Sequence, residues 1–197
     1  MEDKSPILID NGTAYCKAGF TGEEQPKVFL KTCVGYPKHS SGDFFIGADI
    51  DAKKGVLELN YPMKRGQIIN FDDMEKIWSY IFTKELKVDP AEYNVMLTNA
   101  PMNPINKKEK ITNIMFETFN VLGFYLALPH TLALYSAGIF TGIVADLGEG
   151  VNSFCPIFDG YPLHQAMKCF DFSGKDLTDY MIILLNEKGQ KWKISWD

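Results

Sequence analysis

The chain has 197 residues, of which 46% are hydrophobic and 13% aromatic, enough to bury the core of one domain or of two small lobes sharing a sheet. A formal net charge of −5 argues against a protein that lives on nucleic acid, which needs clustered Lys and Arg. The opening MEDKSPILID is too polar for a signal peptide, and no apolar run approaches membrane-spanning length. Cys16, Cys33, Cys155 and Cys169 form no CxxC pair, so buried, reduced thiols in a soluble intracellular protein are expected. His39, His130 and His164 suggest no metal site, and His130 reads as a helix-start residue beside Pro129.

In chain order, residues 6 to 10 and 15 to 20 read as a hairpin around the turn formers Asn11 and Gly12. Short strands follow at 27–30 and 32–34, and GYPKHSSGDFFIG, 35 to 47, reads as a surface excursion. From Asn70 the spacing becomes helical: Met74, Ile77, Trp78, Ile81 and Phe82 share a face, with Asn70 or Asp72 as N-cap. NVMLTNAP, 94 to 101, predicts a buried strand, and Asn103 and Pro104 start a second helix through Ile111, Ile114, Met115 and Phe119. Strands at 124–128, 141–147 and 151–157, a short helix at 130–137 and a helix at 174–187 complete an α/β pattern.

One feature repeats. ILIDNGTAYCKAGF and IVADLGEGVNSF each run from an apolar strand through Asp, one residue and Gly into a second strand, with Asp10 and Gly12 in the first and Asp146, Gly148 and Gly150 in the second. Glycine there permits positive φ or a close backbone approach, so turn N–H groups can face an anion while the carboxylate faces a cation. Two such hairpins facing each other would hold a metal–triphosphate. Asn11 and Thr13 add an amide and a hydroxyl, and Lys17 an ammonium within reach of a phosphate. Mg²⁺ keeps several waters, so Asp10 and Asp146 would suffice as its carboxylates through water. The plain alternative is that DxG is a common hairpin turn.

DNGTAYCKAGF, DDMEKIW, NAPMNP, KITNIMFETFN, TGIVADLGEGV and FSGKDLTDY, in this order and spacing, resemble actin from about residue 6 to 189. The resemblance implies the actin and Hsp70-like ATPase fold, ribonuclease H-like, with ATP or ADP and Mg²⁺ clasped between two lobes. It implies a first-lobe core at 1–33 and 66–136, a small insertion at 34–65, and the start of a second lobe at 137–197 that ends where the family's third subdomain has barely begun. An apolar face is then expected to lie uncovered. The phosphate-binding positions implied are Asp10, Asn11, Gly12, Thr13, Ala14, Lys17, Asp146, Gly148, Glu149, Gly150 and Val151.

The departures from that pattern matter as much. Pro129 stands where actins carry a glutamine that places the attacking water, and Ser153 where they carry a histidine. Ala14 replaces a glycine, Leu147 a serine, and Arg65 a histidine near the phosphates. The loop HSSGDFF, 39 to 45, is several residues shorter than the one that inserts into the next filament subunit, and the acidic N-terminus is reduced to Glu2 and Asp3. Tyr135, Gly138, Phe140, Gly160 and Tyr161 match positions lining the cleft where actin-binding helices dock; Tyr135 and Tyr161 read alternatively as core aromatics. The expectation is a non-catalytic structural actin-related subunit of a cytoskeletal or axonemal assembly in the cytoplasm, with actin-like neighbours, actin-binding helices or axonemal proteins as partners and neither nucleic acid nor membrane. The alternatives are a filament-forming ATP-binding actin seen as a fragment, and a nuclear subunit of a chromatin remodeller.

Overall fold

The computed structural model describes residues 4–38, 43–53, 55–190 and 192. Glu2, Asp3, most of the shortened loop at 39–42, and all but one of the residues after Gln190 lie outside the described residues.

The first sheet begins as the hairpin foreseen at the turn: β1 (Ile7–Asn11) pairs antiparallel with β2 (Tyr15–Phe20), and β2 with β3 (Val28–Lys31). The chain then leaves the sheet. β4 (Val34–Pro37) pairs with β5 (Leu57–Asn60) across a short helix α1 (Ala48–Lys53), and β6 (Met63–Lys64) turns back onto β7 (Gln67–Ile68). The stretch at 35–47 is more than a surface excursion, because Phe45 bridges to Gly35 and Ile46 is buried in the main core. Phe45 and Ile46 of its apolar FFI are anchored while Phe44 stays exposed, which the turn formers on either side concealed.

Helix α2 (Phe71–Tyr80) starts at Asn70, whose side chain accepts the Asp73 N–H at 3.1 Å while its amide donates to Asp73 Oδ2 at 2.8 Å. This reciprocal cap satisfies an N–H that the helix cannot. The helix widens into a π-type turn at Ile81–Leu86, and Met74, Ile77, Trp78, Ile81 and Phe82 are all fully buried. Strand β8 (Asn94–Thr98), helix α3 (Ile105–Asn113) with its own wide turn at Ile114–Thr118, and strand β9 (Gly123–Ala127) follow. β8 inserts parallel to β1 and β9 parallel to β8, giving the order β3-β2-β1-β8-β9. The α2 face packs with Ile7, Ile9, Val95 and Leu97 to form the main core.

Helix α4 (Pro129–Ser136) leads to the second sheet, in which β10 (Gly142–Leu147) pairs with β11 (Asn152–Phe158), and β11 with both β12 (Tyr161–Pro162) and β13 (Lys168–Phe170). Leu134, Cys155, Ile157 and Met167 form its small core on one face only. The other face leaves Ile143, Leu147 and Phe158 exposed. Helix α5 (Gly174–Glu187) has no buried residue, and Leu177, Tyr180 and Met181 lie open along it. The uncovered apolar face expected of the second lobe is therefore present. Among the described residues no helix is long and apolar enough to cross a membrane.

Candidate phosphate and cation site

The two Asp–Gly turns meet. The parallel insertion of β8 beside β1 puts Thr98 at the strand end next to Asp10, and its hydroxyl does two jobs. It donates to Asp10 Oδ1 at 2.8 Å and accepts the Asn11 N–H at 2.9 Å. Across the hairpin Asp10 is in register with Lys17, whose ammonium lies 3.0 Å from Oδ2. Asp10 is thus fixed at both oxygens, and Lys17 sits beside it at the mouth of the site. From below, Trp78 Nε1 donates to Asn11 Oδ1 at 3.2 Å, so α2 steadies the turn.

Of the two freedoms that glycine offers in these turns, the structure uses close approach. Gly12, Gly148 and Gly150 all have negative φ or extended backbone, and Ala14 is free of the positive φ that would strain it. A Cβ on Gly12 would lie 2.5 Å from the Tyr15 carbonyl oxygen, and one on Gly150 only 2.2 Å from Thr13 Oγ1. The hairpin tips touch there. Buried Thr32 braces the first turn, donating its hydroxyl to the Gly12 carbonyl at 2.8 Å and its N–H to that of Ala14 at 2.9 Å. Thr13 Oγ1 also accepts the Gly66 N–H at 3.1 Å, bringing the β6–β7 turn into the same junction.

Between the hairpins lies a cavity of about 240 Å³. Every one of the eleven expected positions, Asp10, Asn11, Gly12, Thr13, Ala14, Lys17, Asp146, Gly148, Glu149, Gly150 and Val151, lines it. At roughly 30 Å³ of liquid volume per water, this holds about eight waters, room for phosphate groups and a hydrated cation. The donor set fits such a guest: the carboxylates of Asp10, Asp146 and Glu149, the Lys17 ammonium, the Thr13 and Thr98 hydroxyls and turn N–H groups line it, and oxygen ligands are what a hard divalent cation prefers. A second cavity of about 460 Å³ adjoins it, sharing Thr13, Ala14, Tyr15, Glu149 and Gly150.

Sequence reasoning missed Thr98, Thr32, Gly66 and His130. Thr98 carries a usable signal, since ligands gather at the carboxyl ends of parallel strands and β8 ends on it. Arg65, expected near the phosphates, lines the adjoining cavity and not the one between the hairpins; at positive φ in the β6–β7 turn, it donates to both oxygens of Asp176, at 2.6 and 2.8 Å, and to Ser173 Oγ at 3.2 Å. Asp176 also accepts the Ser173 N–H at 2.8 Å, the return half of a capping box at the start of α5. The Arg65 guanidinium, and then the Ser173 groups, hold the Asp176 carboxyl well below the usual carboxylate range.

Pro129 lines the cavity wall and offers it no polar side-chain atom. Ser153 lies behind the wall, fully buried, with its hydroxyl 2.9 Å from His130 Nε2. His130 is fully buried as well, so it is more than the helix-start residue its neighbour Pro129 suggested. Burial lowers its imidazole below the ordinary range, against the opposing pull of the Asp146 charge.

The five cleft positions also come together. The Tyr135 and Phe140 rings stand 5.4 Å apart, Tyr135 donates to the Gly160 carbonyl at 3.3 Å, and the Gly160 N–H bonds the Phe140 carbonyl at 2.7 Å. Gly138 and Gly160 turn the chain there with φ of 72° and 81°. Tyr135 and Tyr161 are 45% and 75% exposed, which overturns the alternative that they are core aromatics. The thiol expectation needs a similar correction: Cys16, Cys33 and Cys155 are buried, but Cys169, on the exposed strand β13, is not.

A family model described as actin matches residues 1–194. With its mixed sheet, its facing Asp–Gly hairpins and a match over nearly the whole sequence, the chain belongs to the actin family and has an actin-like α/β fold.

Proposed function

We propose that this chain is a structural member of the actin family that holds Mg²⁺ and the phosphates of ATP or ADP between its hairpins and does not turn the nucleotide over. The observation that carries the reading is the contrast between the two walls. Asp10, fixed by Lys17 and Thr98, and Asp146 face one cavity with the other expected binding positions, whereas Pro129 gives its part of the wall no side-chain group to orient a water. Phosphoryl transfer depends largely on positioning the nucleophile and stabilising charge, so a binding site without water placement is a poor hydrolase.

When bound, the cation would neutralise phosphate charge. Asp10 and Asp146 would accept hydrogen bonds from its waters, Lys17 would add positive charge at the mouth, and Thr13 would offer a hydroxyl. The exposed apolar side chains of β10, β11 and α5 support burial of that face against further protein, in keeping with a subunit of a cytoplasmic cytoskeletal assembly. The exposed Tyr135–Phe140 cleft supports a helical partner there.

A single-turnover assay tests the catalytic half. Protein loaded with Mg-ATP should release no phosphate above background over hours while retaining nucleotide in a filter-binding assay. Clear turnover would sink the non-catalytic reading, and failure to retain Mg-nucleotide would sink the binding one.

A further inference from the structure

Behind the cavity wall lies a polar pair that the binding residues do not include. β11 runs antiparallel to β10 with Ser153 directly opposite Asp146, so the two side chains share a face of the sheet. The Ser153 hydroxyl is bonded at 2.9 Å to His130 Nε2, on the first turn of α4, and both residues are completely buried. His130 follows Pro129, which lines the cavity. One imidazole therefore ties the helix that forms one wall to the strand position paired with the carboxylate of the other.

The surroundings make this polar contact notable. Elsewhere α4 meets this sheet through the apolar side chains Leu134, Cys155, Ile157 and Met167 and, at its far end, through the exposed Tyr135 hydroxyl on the Gly160 carbonyl. His130 Nδ1 is also buried and has no hydrogen-bond partner among the described residues. An apolar residue would bridge the layers without desolvating two ring nitrogens and a hydroxyl. What the histidine adds is direction, because its hydrogen bond fixes the Ser153 hydroxyl and with it the register partner of Asp146.

Resting on the proposed cation site, we infer that His130 is a positioning residue for Asp146: acting through Ser153, it holds the β10–β11 pair so that the Asp146 carboxylate faces the hydrated cation. Its effect falls on the cation-dependent part of binding, since Asp146 meets the phosphates only through the metal. Groups standing behind metal ligands commonly tune metal affinity in this way.

Calorimetric titration of the full chain with ATP, in Mg²⁺ and in EDTA, separates that part. His130→Ala and Ser153→Ala should each weaken binding in Mg²⁺ about tenfold while leaving binding in EDTA unchanged, with His130→Gln, which can still bond Ser153, recovering most of the loss. On an Asp146→Asn background, His130→Ala should add nothing further, the non-additivity expected of residues acting through one another. Melting curves identify any variant that fails to fold; Ser153→Ala and His130→Gln carry the test if His130→Ala does. Wild-type affinity in a folded His130→Ala or Ser153→Ala variant, equal losses in Mg²⁺ and EDTA, or additive losses with Asp146→Asn overturn the inference and leave the proposed function standing. If the wild-type chain shows no Mg²⁺-dependent binding, the proposed function falls and the inference with it.

Discussion

Arg65 and Asp176, 111 residues apart, face each other through two parallel hydrogen bonds of 2.6 and 2.8 Å. The pair joins the β6–β7 turn to the first turn of α5. Arg65→Lys keeps the charge but loses the planar fork, so it should behave closer to Arg65→Ala than to wild type. Hydrogen exchange checks this: amides near residues 66 and 174 should exchange faster in both variants.

The same pair sets an acid dependence. The folded Asp176 carboxyl is depressed below its reference value of 3.8, so its contribution to stability is fully present above that pH. It is lost as pH falls through the lower, folded value. Urea unfolding of wild type and Asp176→Asn should therefore differ by a constant amount from pH 7 to about 5, and the difference should shrink below about pH 4. A difference that grows on acidification would contradict the assignment.

Gly150→Ala should be strongly destabilising, because the new Cβ would fall 2.2 Å from Thr13 Oγ1 and 2.7 Å from its Cβ. A cost of about 1–3 kcal/mol is typical of such overpacking. Thr13→Gly in the same chain removes both contacts and should recover part of it. Chemical denaturation of the two single variants and the double variant measures the coupling directly.

Thr98→Val removes the hydroxyl that serves Asp10 and the Asn11 N–H together. Leaving the partly buried Asn11 N–H unpaired should cost about 1 kcal/mol, while Thr98→Ser, which keeps the hydroxyl, should cost less. Mg-ATP titration should show a matching order of affinities, wild type and Ser above Val.

Thiol labelling offers a check on the packing of the second sheet. Burial pushes the Cys33 thiol up to about 11 and raises Cys16 and Cys155 as well. Desolvation raises Cys169 too, so exposure decides: native protein should react with a thiol reagent at Cys169 alone, and at all four cysteines once unfolded. Fast native labelling of Cys155 would mean that α4 does not stay packed on β11.

The periodic parts of this fold were legible because their signals are local. The 3.6-residue spacing from Met74 to Phe82, the Asn70 cap and the paired Asp–Gly hairpins each lie within a dozen residues of sequence, and each forms as read. The repeat marked the two Asp–Gly turns, and the resemblance to actin supplied the rest of the eleven positions that line the cavity. What stayed hidden depends on long-range pairing. His130 meets Ser153 across 23 residues, Thr98 meets Asp10 across 88, and no local pattern marks either partner. The pairing of Arg65 with Asp176 was hidden for the same reason, since only tertiary structure brings the two together. The FFI segment misled differently: flanking turn formers predicted an excursion, and burial of Ile46 overrode them.

The first N–H groups of α5 go to the second hairpin: Gly174 donates to the Gly148 carbonyl at 3.0 Å and Lys175 to that of Glu149 at 3.1 Å. Turn and helix are thereby joined as a lever with its fulcrum at the second Asp–Gly turn. At 1.5 Å per residue, the 14 residues of α5 make an arm of about 21 Å, so a tilt of about 5° at Gly148 moves Glu187 by about 2 Å. The exposed side chains of Leu177, Tyr180 and Met181 ride on that arm, so a small change at the turn is magnified along them.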